Sequence, residues 1–154
     1  MKPFYDPAFF KKPAFPFVAL TEELLACAEA LAEASIAWNA AGLAAHHIGE
    51  LFPVIVIRYG VDLADGSPSM LPSPRVIIDP QLSRPSLQRL VAEEGSVALP
   101  GITKEISRPH SIQLDSLDRE GKKRRERLYG WQARVVMHET DQLKGHFFLE
   151  DMGS

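Results

Sequence analysis

The residues best suited to chemistry lie near the end of the chain, where Met137 is followed by H-E-T-D-Q at positions 138–142. On a helix, His138 and Gln142 are four apart, about one turn, so their side chains share a face and can converge on one atom, with Glu139 one step round. In the H-E-x-x-H arrangement this spacing gives a metal ion two imidazoles and supplies a carboxylate that deprotonates metal-bound water. Here the second imidazole position is Gln142. Taken alone, His138 is better read as a hydrogen-bonded core residue than as a ligand. Cys27, the one cysteine, reads as a small buried side chain, because no neighbour in sequence would activate a thiolate. The run K-K-R-R-E-R at 122–127 reads as a solvated arm in preference to an RNA or acidic-partner contact.

The elements that must position these groups follow from periodicity. Prolines 3, 7, 13 and 16 suit an extended arm laid over a surface. Thr21 is an N-cap, Glu22 and Glu23 fill the first turn, and Leu24, Ala28, Leu31, Ser35 and Trp38 recur at helical spacing, so a helix is expected over 22–39. F-P-V-I-V-I-R-Y at 52–59 predicts a buried strand, the Gly-, Pro-, Ser- and Asp-rich stretch 60–74 a loop, and R-V-I-I-D at 75–79 another short strand. Residues 85–94 fit a helical turn or a strand. The alternation around Gly121 predicts a hairpin. A last helix is expected over 131–144, with Gly145 in the left-handed conformation beyond it, Trp131 packing its start, and Phe147 and Phe148 packing the segment that leaves it. Strands between two separated helices, without βαβ alternation, indicate an α+β fold.

Two further segments bear on the last helix. Residues 42–49 read G-L-A-A-H-H-I-G and residues 94–101 read E-G-S-V-A-L-P-G. With H-E-T-D-Q-L-K-G they resemble, in the same order, the motifs G-x-G-L-A-A-x-Q, E-G-C-L-S and H-E-x-D-H of the peptide deformylase family. I-D-P at 78–80 and the Arg108–Pro109 pair fit too, so the resemblance spans nearly the whole chain. It implies an α+β domain with short antiparallel sheets around a C-terminal motif-bearing helix, and removal of formyl from N-formyl-methionyl peptides. It also implies an iron(II) or zinc ion at the positions of Ser96, His138 and Gln142, Glu139 as general acid/base, and oxyanion binding at His47 and the Val97 amide. The first glycine of the first motif is Ala40 here.

Two of the three implied ligand positions are substituted, serine for cysteine and glutamine for histidine. A thiolate binds a metal as a charged, soft donor; a serine hydroxyl stays neutral, and a glutamine offers only a carbonyl oxygen. No tight family-type metal site is therefore expected. Zinc can lower the pKa of its water from about 15.7 to about 7, a difference of roughly 12 kcal/mol that Glu139 alone cannot supply. The chain thus reads as a deformylase-like protein with a degenerate metal site and weak or absent deformylation, its pocket serving to bind a peptide N-terminus or small ligand. The rival is an active metal-dependent deformylase with a variant ligand set, in which His47 joins His138, and Ser96, Gln142 or Glu139 completes the site. A third arrangement makes Ser96 a nucleophile with His47 or His138 as its base.

At 154 residues a single domain over 1–154 is expected. A composition 45% hydrophobic and 24% charged excludes disordered and fibrous classes. A net charge of −3 and a pI of about 5.9 argue against a protein that coats nucleic acid or anionic lipid. One cysteine cannot form an internal disulfide, the N-terminal residues lack a secretory pattern, and no run of ~20 apolar residues could span a membrane, so the cytoplasm is the expected location. Some deformylases carry a basic C-terminal helix that docks on the ribosome; with the sequence ending at Ser154, shortly after its last motif, ribosome docking is not expected.

Overall fold

The computed structural model describes residues 2–149. Its centre is a strand β2, Val54–Asp62, whose first four residues are fully buried. Successive side chains of a strand point to opposite faces. Val54 and Val56 accordingly pack with Leu24, Ala28 and Leu31 of helix α2, Glu22–Ala37, while Ile55 and Ile57 pack with Ala133, Val136 and Met137 of helix α3, Gly130–Leu143. Both faces of the sheet are covered, which is why the run V-I-V-I is apolar throughout instead of alternating. Each of those buried side chains contributes about 1.5–3 kcal/mol.

Around β2 the chain forms a five-stranded antiparallel sheet in the order β1-β2-β3-β6-β7, with β1 at Gly42–Ala44, β3 at Pro68–Ser83, β6 at Ser111–Leu117 and β7 at Lys123–Tyr129. Strands β4, Arg89–Ser96, and β5, Leu99–Pro109, form a separate antiparallel pair. The expected α+β fold, the hairpin at Gly121 and the C-terminal helix are all present.

Several local expectations are corrected. Much of the predicted loop 60–74 is strand: β2 runs on to Asp62 and β3 begins at Pro68. Prolines are tolerated there because β3 pairs with β6 only from Ile78 onward, so over its first half one edge needs no N–H donors. Residues 89–96 are strand, and 99–109, to which the sequence assigned no element, is its partner. The N-terminal arm holds one helical turn, α1 at Pro7–Phe10: Pro7 sits where a missing N–H costs nothing, and the Asp6 carboxylate accepts from the amides of Ala8 and Phe9 at 2.9 and 3.1 Å.

Helix α3 starts against the end of β2, where the Asp62 carboxylate accepts from the Trp131 amide at 3.3 Å. Gly130, at φ +59°, takes the left-handed conformation that favours glycine at this junction. The helix closes with Gly145 at φ +83°, as the sequence implies. The 122–127 basic run lies largely on edge strand β7, with Arg124 and Arg125 facing Asp118 and Asp115 at 3.5 and 2.7 Å and Glu126 paired with Arg75. No helix among the described residues is long and apolar enough to cross a membrane.

Candidate functional site

Helix α3, strand β4 and the short turn after β1 meet at a cleft of about 650 Å³. Gly42 allows the close approach: a Cβ there would sit 2.5 Å from Val135 Cγ1 and 3.2 Å from Glu139 Cγ. Of the residues singled out by sequence, His47, Ser96, Val97, His138 and Glu139 all line this cleft. Gln142 is not among its lining residues; it is buried, and its side-chain amide donates to the Phe10 carbonyl of the N-terminal arm at 2.8 Å. The expectation that Gln142 shares the cavity with Ser96 and His138 is therefore corrected. Its side chain tethers the arm, whose Phe10 packs with Phe147 and Phe148 as one buried cluster.

His47 closes a 3-10 turn over Ala45–Ile48 by reaching back to the residue before it. The Ala44 amide donates to His47 Nδ1 at 3.0 Å. The Ala44 carbonyl lies 3.1 Å from the same nitrogen. His47 Nε2 lies 3.3 Å from Ser96 Oγ, which accepts the Ala98 amide at 3.1 Å. Burial first, opposed by the bond to the Ala44 carbonyl and reinforced by the charge of His138, brings His47 down to about 3, so it is neutral.

The cleft floor is organised by Glu94, a residue that sequence reasoning quoted only as part of a motif. Its carboxylate accepts Arg108 at 2.6 and 2.8 Å, Arg134 at 2.6 Å and His138 Nδ1 at 2.7 Å. Arg108 goes on to Asp141 at 2.9 Å, and Arg134 to the carbonyls of Ile106 and Leu90. Burial opposes the Glu94 charge, but the bonds from His138 and Arg108 outweigh it and hold the carboxyl at about 2. For His138, burial would lower the pKa; the charge of Glu139 and the bond to Glu94 win, and it lies above the ordinary value. Glu139 has no such support. Burial pushes it up to about 7, partly offset by the His138 charge, and its Oε1 has no hydrogen-bond partner. The sequence signal for this network was slight: Arg134 stands one helical turn before His138, and Arg108 precedes a proline.

Trp131, expected only to pack the helix start, and Trp38 both line the cleft. Cys27 is buried and, chiefly by that burial, pushed up to about 12, in accord with an inert thiol.

Residues 4–154 match the sequence profile of the polypeptide deformylase family. The chain belongs to that family. A peptide deformylase of Rickettsia typhi is 30% identical over 143 residues, covering 91% of this chain and 79% of the relative. The crystal structure of the Thermotoga maritima deformylase superposes with a TM-score of 0.82 at 29% identity, covering 97% of this chain and 93% of the other. A Met-Ala-Ser-bound deformylase of Acinetobacter baumannii, 23% identical, shares the fold with a TM-score of 0.82 over 92% of this chain and 91% of that one. Deformylases as a family depend on a metal. Among the described residues no group of three His, Cys, Asp or Glu side chains is placed to hold an ion. Gln142 Nε2 donates to the Phe10 carbonyl, and Ser96 Oγ accepts the Ala98 amide and lies 3.3 Å from His47 Nε2.

Proposed function

We propose that this deformylase-family protein binds peptide N-termini in its cleft and sustains weak deformylation or none, its metal site being degenerate. The observation that carries the reading is the donor set: one imidazole, His138, stands with Ser96 where the family resemblance implies three strong ligands, and the third position, Gln142, is hydrogen-bonded to the arm. Serine and glutamine oxygens are neutral and weak donors to iron(II) or zinc, and losing even an outer-shell partner typically costs about 10–100-fold in affinity. Glu139, with a pKa of about 7, is a far weaker base than is needed to ionise ordinary water.

What remains suits binding. The cleft is of ligand size and is lined by Trp38, Val97, Trp131 and Val135. The Val97 amide and the His47 ring are the groups assigned to a bound carbonyl oxygen, and Glu139 to a bound N–H. The Met-Ala-Ser held by the Acinetobacter relative is a peptide of the size proposed for this cleft.

One observation favours the rival, an active hydrolase with a variant ligand set: a carboxyl held near 7 in a cleft is what general acid/base work calls for. Metal analysis of anaerobically purified protein, run beside a formyl-Met-Ala-Ser assay, separates the two. The proposed reading expects far less than one equivalent of iron or zinc and negligible turnover. Stoichiometric metal together with turnover abolished by Glu139→Ala would establish the rival.

A further inference from the structure

Resting on the reading of the cleft as a site for peptide N-termini, the face that α3 turns to it bears on which first residue it takes. Trp131, Arg134, Val135 and His138 all line the cleft, at the spacing i, i+3, i+4 and i+7 that puts them on one side of a helix. A peptide whose terminal group sits beside His138 lays its first side chain about one turn back, roughly 5 Å along the axis, against Trp131, Val135 and Arg134. Arg134 is the charged member of that wall and is fixed in place. Its Nη1 donates to Glu94 at 2.6 Å and to the Ile106 carbonyl at 3.0 Å, its Nη2 donates to the Leu90 carbonyl at 2.8 Å, and the guanidinium carbon lies 5.8 Å from the Trp131 ring centre. A guanidinium has five N–H donors, so these bonds leave the Nε–H and one on Nη2. Among the described residues the Nε–H has no hydrogen-bond partner, yet it is not sealed from solvent. The positive charge is also incompletely matched inside the fold: two arginines share the Glu94 carboxylate, and the Asp141 side chain that joins Arg108 is 42% exposed. Glu93, the other carboxylate of this strand that lines the cleft, is exposed, so water and salt screen its repulsion of an incoming anion.

We propose that the cleft selects peptides whose first side chain carries a carboxylate, glutamate over methionine, with Arg134 as the specificity-determining residue. The side-chain carboxylate accepts the Nε–H in a charge-assisted bond, while its methylenes lie on the Trp131 ring. A methionine thioether is only a weak acceptor, and a bound methionine would cut the Nε–H off from water without giving it a partner.

The test titrates the purified protein with Glu-Ala-Ser and with Met-Ala-Ser, read by the fluorescence of Trp38 and Trp131 on the cleft wall. Glu-Ala-Ser is expected to bind at least ~10-fold tighter, the factor that about one hydrogen bond to a charged group supplies, and Arg134→Gln is expected to bring the ratio to parity or reverse it. Equal or tighter binding of Met-Ala-Ser overturns the selection while leaving the peptide-binding reading in place. Binding of neither peptide overturns that reading itself. A preference that survives Arg134→Gln overturns the role of Arg134. Should that variant not fold, the nitrogen-15 and proton resonances of the Arg134 Nε–H in the unaltered protein read the same contact: a larger change with Glu-Ala-Ser than with Met-Ala-Ser supports it, and an equal or absent change under saturation overturns it.

Discussion

Replacing Glu94 with glutamine tests whether the buried carboxylate organises the cleft floor. The substitution keeps the shape and removes the charge, leaving Arg108, Arg134 and His138 facing a neutral amide that can accept at only one atom. Two routes give the magnitude. Lowering the carboxyl from 4.5 to about 2 corresponds, at about 1.36 kcal/mol per pH unit, to roughly 3 kcal/mol of native stability. Removing one partner of a buried ion pair costs about 3–5 kcal/mol. Glu94→Gln is therefore expected to lose about 3–4 kcal/mol in urea denaturation at pH 7. The sign of the pH dependence follows from the depressed pKa. The stabilisation is complete above the unfolded value of 4.5 and is lost as pH falls toward 2. The gap between the two proteins should narrow on acidification, by about 1 kcal/mol at pH 4 and about 2 at pH 3. A loss under about 1 kcal/mol at pH 7, or a gap unchanged between pH 7 and pH 3, would refute the reasoning.

His47→Gln keeps a side chain that can reach back to the Ala44 amide but removes a group whose pKa falls from 6.5 to about 3 on folding. Neutral His47 favours the native state above pH 6.5 and penalises it progressively below, so the variant should lose stability less steeply between pH 6.5 and 4; parallel curves for the two proteins would contradict the assignment. Gln142→Leu leaves the Phe10 carbonyl without its buried donor, at an expected cost of about 1–3 kcal/mol, and should expose the segment around residues 3–15 to limited proteolysis, whereas unchanged cleavage kinetics would mean that Gln142 does not hold the arm.

Much of the scaffold was legible because it rests on local rules. Thr21 caps α2 through the Leu24 amide at 3.1 Å, and Leu24, Ala28, Leu31 and Ser35 form its buried face. The V-I-V-I run reads as a buried strand, and it forms the buried start of β2. Strand β3 escaped because proline and serine suggest a loop unless one knows that the edge beside them is unpaired, and that depends on where β6 comes to lie. The cleft divides in the same way. The residues near His47, Ser96 and His138 were marked by motif, and the structure brings them to one cleft. The direction of Gln142 was hidden, since its partner, Phe10, is 132 residues away along the chain. Likewise Glu94 finds Arg108, Arg134 and His138 at separations of 14, 40 and 44 residues, a convergence that no local pattern encodes.

The most direct test of the degenerate metal site is a zinc titration of metal-stripped protein against a chromophoric chelator. The donor set predicts that the chelator keeps its zinc, with no saturable uptake by the protein at neutral pH. Uptake of one equivalent in competition with the chelator, lost in His138→Ala but retained in a surface histidine variant such as His146→Ala, would contradict it.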